Sequence, residues 1–140
     1  MTIQEAENKI IEEFALFDDW MDKYNYIIEL GKLLPTVDEQ YRTDSYLIMG
    51  CQSKVWLQAE FIDGKIYFKA DSDAIITKGI IYLLICVLSG RTSNEILEAK
   101  LDYLNVIGLK QHLSPTRSNG LVSMIKQMKV YALGWKEKEG

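Results

Sequence analysis

Residues 55–70 have the sequence VWLQAEFIDGKIYFKA, and this stretch decides the fold. Apolar and polar residues alternate on both sides of Asp63-Gly64, a dipeptide typical of a two-residue type I′ turn. Such a turn pairs Ile62 with Lys65 and so fixes the register of the whole ribbon. The sequence therefore predicts a β-hairpin at the centre of the chain.

In this register the two strands have one apolar face, which belongs to the core, and one exposed or partly covered face that carries Trp56. Continuing the pairing past the strand ends places Trp56 opposite Asp71 and Lys54 near Asp73. Residues 50–53 then lie beside the segment that follows the second strand. The residues on the apolar face are Val55, Leu57, Ala59, Phe61, Ile66, Phe68 and Ala70.

Two helices are predicted before the hairpin, because residues 3–30 carry apolar side chains at helical spacing. Asp18-Asp19 is expected to cap the second helix, and Gly31 and Pro35 to end it. The connection that follows looks extended, with a short strand at residues 46–49. The sheet is thus expected to have about three strands.

Helices are also predicted after the hairpin. Ser72 or Asp73 is expected to cap an apolar helix, and Thr92 with Glu95 has the spacing of a capping box for a short one. The last helix is expected to begin after residues 118–120. Helices around a small antiparallel sheet define an α+β fold, and residues 1–140 are expected to form a single domain.

Composition excludes several classes of function. The chain has a net charge of −4 and a pI of about 5.0, so nucleic acid and anionic membranes are poor partners. Its acidic N-terminus does not resemble a signal peptide, and the longest apolar run, residues 80–88, is too short to span a membrane. We therefore expect a cytoplasmic protein with reduced thiols. With one histidine, His112, and two distant cysteines, a zinc site is not indicated.

The segment with the clearest chemical character is Gly50-Cys51-Gln52-Ser53. The hairpin register brings Cys51 near the predicted start of the helix after Asp73, where the helix dipole would favour a reactive thiolate. The alternative is that Cys51 is a small buried apolar residue, which composition alone favours. The polar neighbours Gln52 and Ser53 argue against that alternative. Cys86, inside an apolar run, is interpreted as structural.

Residues 50–57, GCQSKVWL, closely resemble the Gly-Cys-Gln-Ser-x-Val-Trp signature of the SufE family. Three further blocks resemble the family in the same order. They are residues 26–35, residues 70–74 (ADSDA) and residues 113–120 (LSPTRSNG). Together the blocks span residues 26–120, which is most of the chain.

The resemblance implies a SufE/NifU-like fold and a role as a sulfur acceptor. Proteins of this family accept persulfide sulfur from a SufS-type cysteine desulfurase, stimulate it, and relay the sulfur to a SufBCD-like scaffold that builds iron–sulfur clusters. Cys51 would be the acceptor. Pyridoxal phosphate would belong to the desulfurase, so no cofactor is expected here. The chain would act as a transfer partner rather than a stand-alone enzyme, and as a monomer on its own.

The resemblance also implies supporting residues. Arg117 would stabilise the sulfur anion or orient the loop, although a salt bridge or helix-capping role, for instance to Asp71 or Asp73, is an equal alternative. Asp73 and Asn119 are interpreted as helix caps rather than catalysts. The remaining supporting positions are Gly50, Gln52 and Ser53.

One segment departs from the family pattern. Residues 46–49 are Tyr-Leu-Ile-Met, whereas most relatives have small or polar residues before the Gly-Cys pair. A more apolar segment before Cys51 would shield the thiol, raise the pKa of the thiol by desolvation, or suit a particular desulfurase.

Three alternatives remain open at this point. An iron–sulfur scaffold of the U type would need three or four metal-ligating side chains, more than the two cysteines supply. A thiol hydrolase would use Cys51 with His112 as its base. A non-catalytic adaptor would dock to the desulfurase and activate it without carrying sulfur.

Overall fold

The computed structural model describes residues 1–139, and their side chains through residue 138. Two amphipathic helices come first, α1 (Ile3–Phe14) and α2 (Trp20–Gly31). Asp19 caps α2 by accepting a hydrogen bond from the Asp22 amide at 2.9 Å, as predicted. The predicted end of this helix at Gly31 is also confirmed.

The connection between α2 and the hairpin contains two short 3₁₀ helices, Glu39–Tyr41 and Asp44–Tyr46. The strand predicted at residues 46–49 is wrong, because this segment makes only an isolated bridge between Leu47 and Trp56. A 3₁₀ helix on one side and a left-handed turn at Gly50 on the other leave no length for a strand. The sheet of the described residues therefore has two strands rather than about three.

The hairpin consists of β1 (Val55–Ile62) and β2 (Lys65–Ser72), and its register is the predicted one. Asp63 and Gly64 both have positive φ angles, 51° and 80°, as a type I′ turn requires. The apolar face is buried near the open end of the hairpin, and Ala59 and Phe61 are half-buried toward the turn. The turn signal thus determined the pairing of every residue in the ribbon.

The central element is α3 (Ile75–Leu88), which is apolar on most sides and buried between the hairpin and the other helices. It packs closely on α2 at Gly79. A side chain at this position would collide with the backbone carbonyl of Ile27, so glycine permits the backbones to touch. The hydroxyl of Tyr103 donates a hydrogen bond to the Leu83 carbonyl at 2.8 Å and ties the next segment to α3.

Four helices follow, α4 (Ser93–Glu98), α5 (Tyr103–Val106), α6 (Leu109–His112) and α7 (Pro115–Glu139). The capping box at the start of α4 is confirmed. The long helix α7 packs on α4 and α3. No helix among the described residues is both long enough and apolar enough to cross a membrane. Helices around an antiparallel hairpin confirm the α+β class.

Two predicted helix caps are wrong. Neither Ser72 nor Asp73 caps α3, which begins after Ala74 without a side-chain cap. The Asp73 carboxylate instead accepts a hydrogen bond from the Lys54 amide at 3.1 Å. Asn119 lies inside α7 rather than before it. The helix begins earlier because Pro115 suits a first helical position, and the Ser114 hydroxyl accepts a hydrogen bond from the Arg117 amide at 3.4 Å.

Candidate functional site

Cys51 lines a small recess, with a volume of about 100 Å³, where three segments meet. The loop before β1 forms one side, and the first turns of α3 and α7 form the others. The hairpin register had predicted that Cys51 would lie beside the start of α3, and this is confirmed. The other lining residues are Gln52, Ser53, Ala74, Ile76, Thr77, Ile80, Thr116, Arg117, Gly120 and Met124.

The loop that carries Cys51 is held at both ends. Gly50 adopts a φ of +91°, which residues other than glycine rarely adopt. A Cβ atom at this position would also lie 2.5 Å from the Ser123 hydroxyl. After the cysteine, the Ser72 hydroxyl donates to the Lys54 carbonyl at 2.7 Å, and Asp73 accepts from the Lys54 amide. The loop is therefore packed against α7 at Gly50 and tied to the end of β2 at Lys54.

The Cys51 thiol is half-buried and donates a hydrogen bond to the Gly120 carbonyl, with Sγ and O separated by 3.6 Å. Burial raises the pKa of the Cys51 thiol above its ordinary value. The hydrogen bond acts in the same direction, because only the protonated thiol can donate it. The protonated thiol is therefore favoured at rest, rather than the thiolate expected from the helix dipole.

Gly120 leaves the space beside the sulfur open. A Cβ atom at this position would lie 3.7 Å from Cys51 Sγ, which is ordinary van der Waals contact. The methyl group would therefore fit, but it would occupy room that a second sulfur atom could use. No sequence pattern indicated this role for Gly120, because the role depends on a contact between segments far apart in the chain.

Arg117 brings positive charge to the recess. Its side chain is exposed and its guanidinium carbon lies 5.8 Å from the centre of the Tyr24 ring. Among residues 1–138 it forms no salt bridge with Asp71 or Asp73, so that alternative is wrong. Gln52 and Ser53 also line the recess, whereas Asn119 is exposed and does not.

An ion-pair cluster around the buried Asp71, beside the site, was not predicted. Asp71, which is 3% exposed, pairs with Arg42 and with Lys78, whose ammonium lies 3.5 Å away. Arg42 also lies over the Trp56 ring, 5.7 Å from its centre. The cluster joins the loop before Cys51 to β2 and α3. The predicted hairpin register places Asp71 opposite Trp56, but no sequence pattern indicates that Arg42 pairs with Asp71.

His112 lies elsewhere. Its ring stacks on Trp20 with centroids 4.5 Å apart, and its Nδ1 atom is 2.9 Å from the Gly108 carbonyl oxygen. His112 does not line the recess, so the structure does not bring it together with Cys51 as a dyad. The second cysteine, Cys86, is half-buried on α3 and lines a separate cavity. In the described part of the chain, no group of three or more acidic, histidine or cysteine side chains could hold a metal ion.

Comparison with known proteins agrees with this geometry. Residues 8–132 match the family model described as SufE, an Fe–S metabolism associated domain. A SufE-like protein of Rhizobium meliloti is 41% identical, and the match covers 91% of this chain and 94% of that protein. The chloroplastic/mitochondrial SufE-like protein 1 of Arabidopsis thaliana is 39% identical over 94% of this chain but only 36% of its own length.

A solved structure has the same fold. The solution structure of a hypothetical protein from Thermus thermophilus superposes with a TM-score of 0.75, over 92% of this chain and 94% of that one, at 18% identity. This likeness establishes the fold alone. The family model and the curated relatives establish more: the chain belongs to the SufE family, and its role lies in Fe–S metabolism.

Proposed function

We propose that this protein is a sulfur acceptor that takes a persulfide sulfur from a SufS-type cysteine desulfurase onto Cys51. The observation that best supports this role is the position of the thiol. Cys51 lines a recess with open space beside the sulfur at Gly120 and an exposed cation, Arg117, at its edge. An acceptor needs a reachable nucleophile, room for one more sulfur atom and shelter for the product.

The transfer is an exchange at sulfur. The Cys51 thiol loses its proton, and the thiolate attacks the outer sulfur of the persulfide on the desulfurase. The new bond forms between Cys51 Sγ and that sulfur, and the bond between the two donor sulfurs breaks. The donor cysteine leaves as a thiolate and takes up a proton. One thiol and one persulfide thus become one persulfide and one thiol, with no external oxidant or reductant.

The recess has different roles before and after transfer. Before transfer, the raised pKa keeps Cys51 protonated and slow to react with stray electrophiles. After transfer, the persulfide anion lies near the first turn of α3, which has no side-chain cap. The N–H groups of a first turn have no intrahelical acceptor, so they and the Arg117 guanidinium favour an anion.

The remaining roles follow from this one. Pyridoxal phosphate belongs to the desulfurase, and the loaded chain passes its sulfur to a SufBCD-like scaffold complex in the cytoplasm. We propose that the free protein is a monomer that docks to the desulfurase.

A turnover assay of the desulfurase tests the proposal. We expect the wild-type protein and Cys86→Ser to raise the rate of alanine formation from cysteine equally, and Cys51→Ser to raise it far less. The Cys86 variant is the matched control, because it removes the other thiol of the chain. Full stimulation by Cys51→Ser would contradict sulfur transfer and support an adaptor instead.

A further inference from the structure

The helix α7 is apolar on two faces, and the described chain covers only one of them. One face packs into the core. The other face carries Val122, Val130 and Leu133, which are 59%, 51% and 48% exposed. A helix with apolar side chains on two faces normally buries both. Exposed apolar residues that share a face mark an interaction surface more often than isolated ones do.

This second face forms one wall of a groove of about 530 Å³. The segment from α4 through α6 forms the opposite wall and contributes Leu97, Leu101 and Leu104. The floor and walls are therefore mainly aliphatic. From Val122 to Leu133 the groove follows α7 for roughly 17 Å, which is about three helical turns.

The rim of the groove is basic. Lys100, Lys110, Lys126 and Lys129 line it, and none of its lining residues within positions 1–138 is acidic. This is unusual in a chain with a net charge of −4. The Lys129 ammonium donates to the Ala99 carbonyl at 2.8 Å and is held in place. The other three lysines are exposed and form no salt bridge among the described residues.

We infer that the groove docks an acidic amphipathic helix of a partner protein. Such a helix would place apolar residues at i, i+3, i+4 and i+7 into the groove and carboxylates against the lysines. The three exposed lysines come from three separate segments, so the positive charge is distributed along the rim. That distribution matches a row of carboxylates. A fatty acid, with one carboxylate, would use one ammonium group.

A second copy of this chain fits the groove less well. A two-fold symmetric dimer through this face would bring the lysine rim of one copy against the same rim of the other. Like charges at such short range oppose association. Charge complementarity therefore favours a different, acidic partner.

The groove and the Cys51 recess lie on opposite faces of α7. Gly120 and Met124 line the recess, whereas Val122 and Lys126 line the groove. Val122 follows Gly120 by two residues, as Lys126 follows Met124, and two residues correspond to roughly 200° around a helix. A helix bound in the groove would therefore leave Cys51 accessible. This inference does not depend on sulfur transfer, because it stands on the groove alone.

A designed peptide tests the inference. The probe is a fluorescein-labelled helix of about 14 residues, with leucines at i, i+3, i+4 and i+7 and glutamates elsewhere, followed by fluorescence anisotropy. We expect saturable binding that weakens with added salt. The double variant Lys110→Glu/Lys126→Glu should raise Kd at least about tenfold. Leu133→Gln should also weaken binding, and a peptide with lysines in place of glutamates should not bind.

Matched controls separate the groove from the rest of the molecule. Lys65→Glu reverses an exposed charge on the hairpin, outside the groove, and should leave Kd within about twofold of wild type. Cys51→Ser should bind the peptide normally, and the groove variants should still accept sulfur from the desulfurase. Circular dichroism checks that each variant is folded.

Four results would overturn the inference. The first is no saturable binding by the wild-type protein. The second is binding that the groove variants do not change. The third is oleate binding, or dimerisation in sedimentation, that the groove variants abolish while the acidic peptide fails to bind. The fourth is loss of sulfur acceptance in the groove variants, because the groove would then belong to the donor interface.

Discussion

The thiol of Cys51 lies 3.6 Å from the carbonyl oxygen of Gly120, although the two residues are 69 positions apart in the chain. The contact joins the loop before the hairpin to the first turns of the last helix. It places a glycine where any side chain would touch the reactive sulfur. The space beside Cys51 is therefore a property of the tertiary fold.

The first prediction concerns Gly120→Ala. Alanine in place of glycine within a helix raises the free energy of unfolding by up to about 1 kcal/mol. The added methyl would contact the sulfur at 3.7 Å and fill part of the recess. We expect a more stable protein that accepts sulfur several-fold more slowly, as measured by thermal unfolding and by time-resolved intact mass.

Gly134→Ala is the control for this variant, because it lies on the same helix and a Cβ atom there would meet nothing within 4 Å. The Gly134→Ala protein should be more stable than the wild-type protein and should accept sulfur at the same rate. Equal loading rates for the two variants would show that the space beside Cys51 is unimportant.

The second prediction concerns Gly50→Ala. A residue other than glycine in the left-handed conformation lowers the free energy of unfolding by about 1 kcal/mol. The new Cβ atom would also crowd the Ser123 hydroxyl. We expect a loss of about 2 kcal/mol in urea unfolding. Gly64→Ala, also left-handed but with open space around it, should lose only the backbone part.

Adding Ser123→Ala to Gly50→Ala should recover part of the lost stability, since it removes the crowded hydroxyl. If Gly50→Ala is no less stable than Gly64→Ala, the contact with Ser123 does not hold the loop.

The third prediction concerns the buried carboxylate. Asp71→Ala leaves Arg42 and Lys78 without their shared partner. Because both cations are about one-third exposed and water can reach them, we expect a loss of about 1–3 kcal/mol in the free energy of unfolding. Glu29→Ala removes an exposed ion pair with Lys32 and should change the free energy of unfolding by less than about 1 kcal/mol. Similar losses in urea unfolding would mean that the cluster does not anchor the loop.

The fourth prediction concerns pH. Because burial raises the pKa of the Cys51 thiol, its alkylation by iodoacetamide should rise with pH around a midpoint above the ordinary thiol value of about 8.5. The Cys86→Ser background isolates this thiol. In concentrated guanidinium chloride the midpoint should return to the ordinary value. A native midpoint near neutrality would instead indicate a stabilised thiolate.

The same shift affects stability. The pKa of this thiol is higher in the folded protein than in the unfolded chain, so folding favours the protonated thiol. Its contribution to the free energy of unfolding is therefore fully present below the pKa of the unfolded chain, and it is lost as the pH rises through the pKa of the folded protein. The free energy of unfolding of the Cys86→Ser protein should therefore fall above about pH 8.5 more steeply than that of a protein that also carries Cys51→Ser.

Local signals in the sequence predicted the hairpin well. Asp63-Gly64 fixes two positive φ angles, and that turn determines the pairing of Val55 with Ser72 at the far end. The same register correctly placed Cys51 beside the start of α3. The capping box of Thr92 with Glu95 and the cap at Asp19 were also predicted correctly, because each involves residues only three apart.

Features that depend on distant contacts were missed. Asp73 looks like a cap, but the Lys54 amide competes for its carboxylate across the hairpin. Asn119 looks like a helix start, but the helix begins four residues earlier at Pro115, which suits a first helical position. The roles of Gly120 and Arg42 rest on tertiary contacts that no local pattern records.

Intact mass after incubation with a SufS-type desulfurase and free cysteine, without reductant, tests the central claim most directly. We predict that the wild-type protein and Cys86→Ser each gain the mass of one or more sulfur atoms, and that Cys51→Ser gains none. A sulfur adduct on Cys51→Ser, or no adduct on the wild-type protein from either of two active desulfurases, would contradict the assignment of Cys51 as the acceptor.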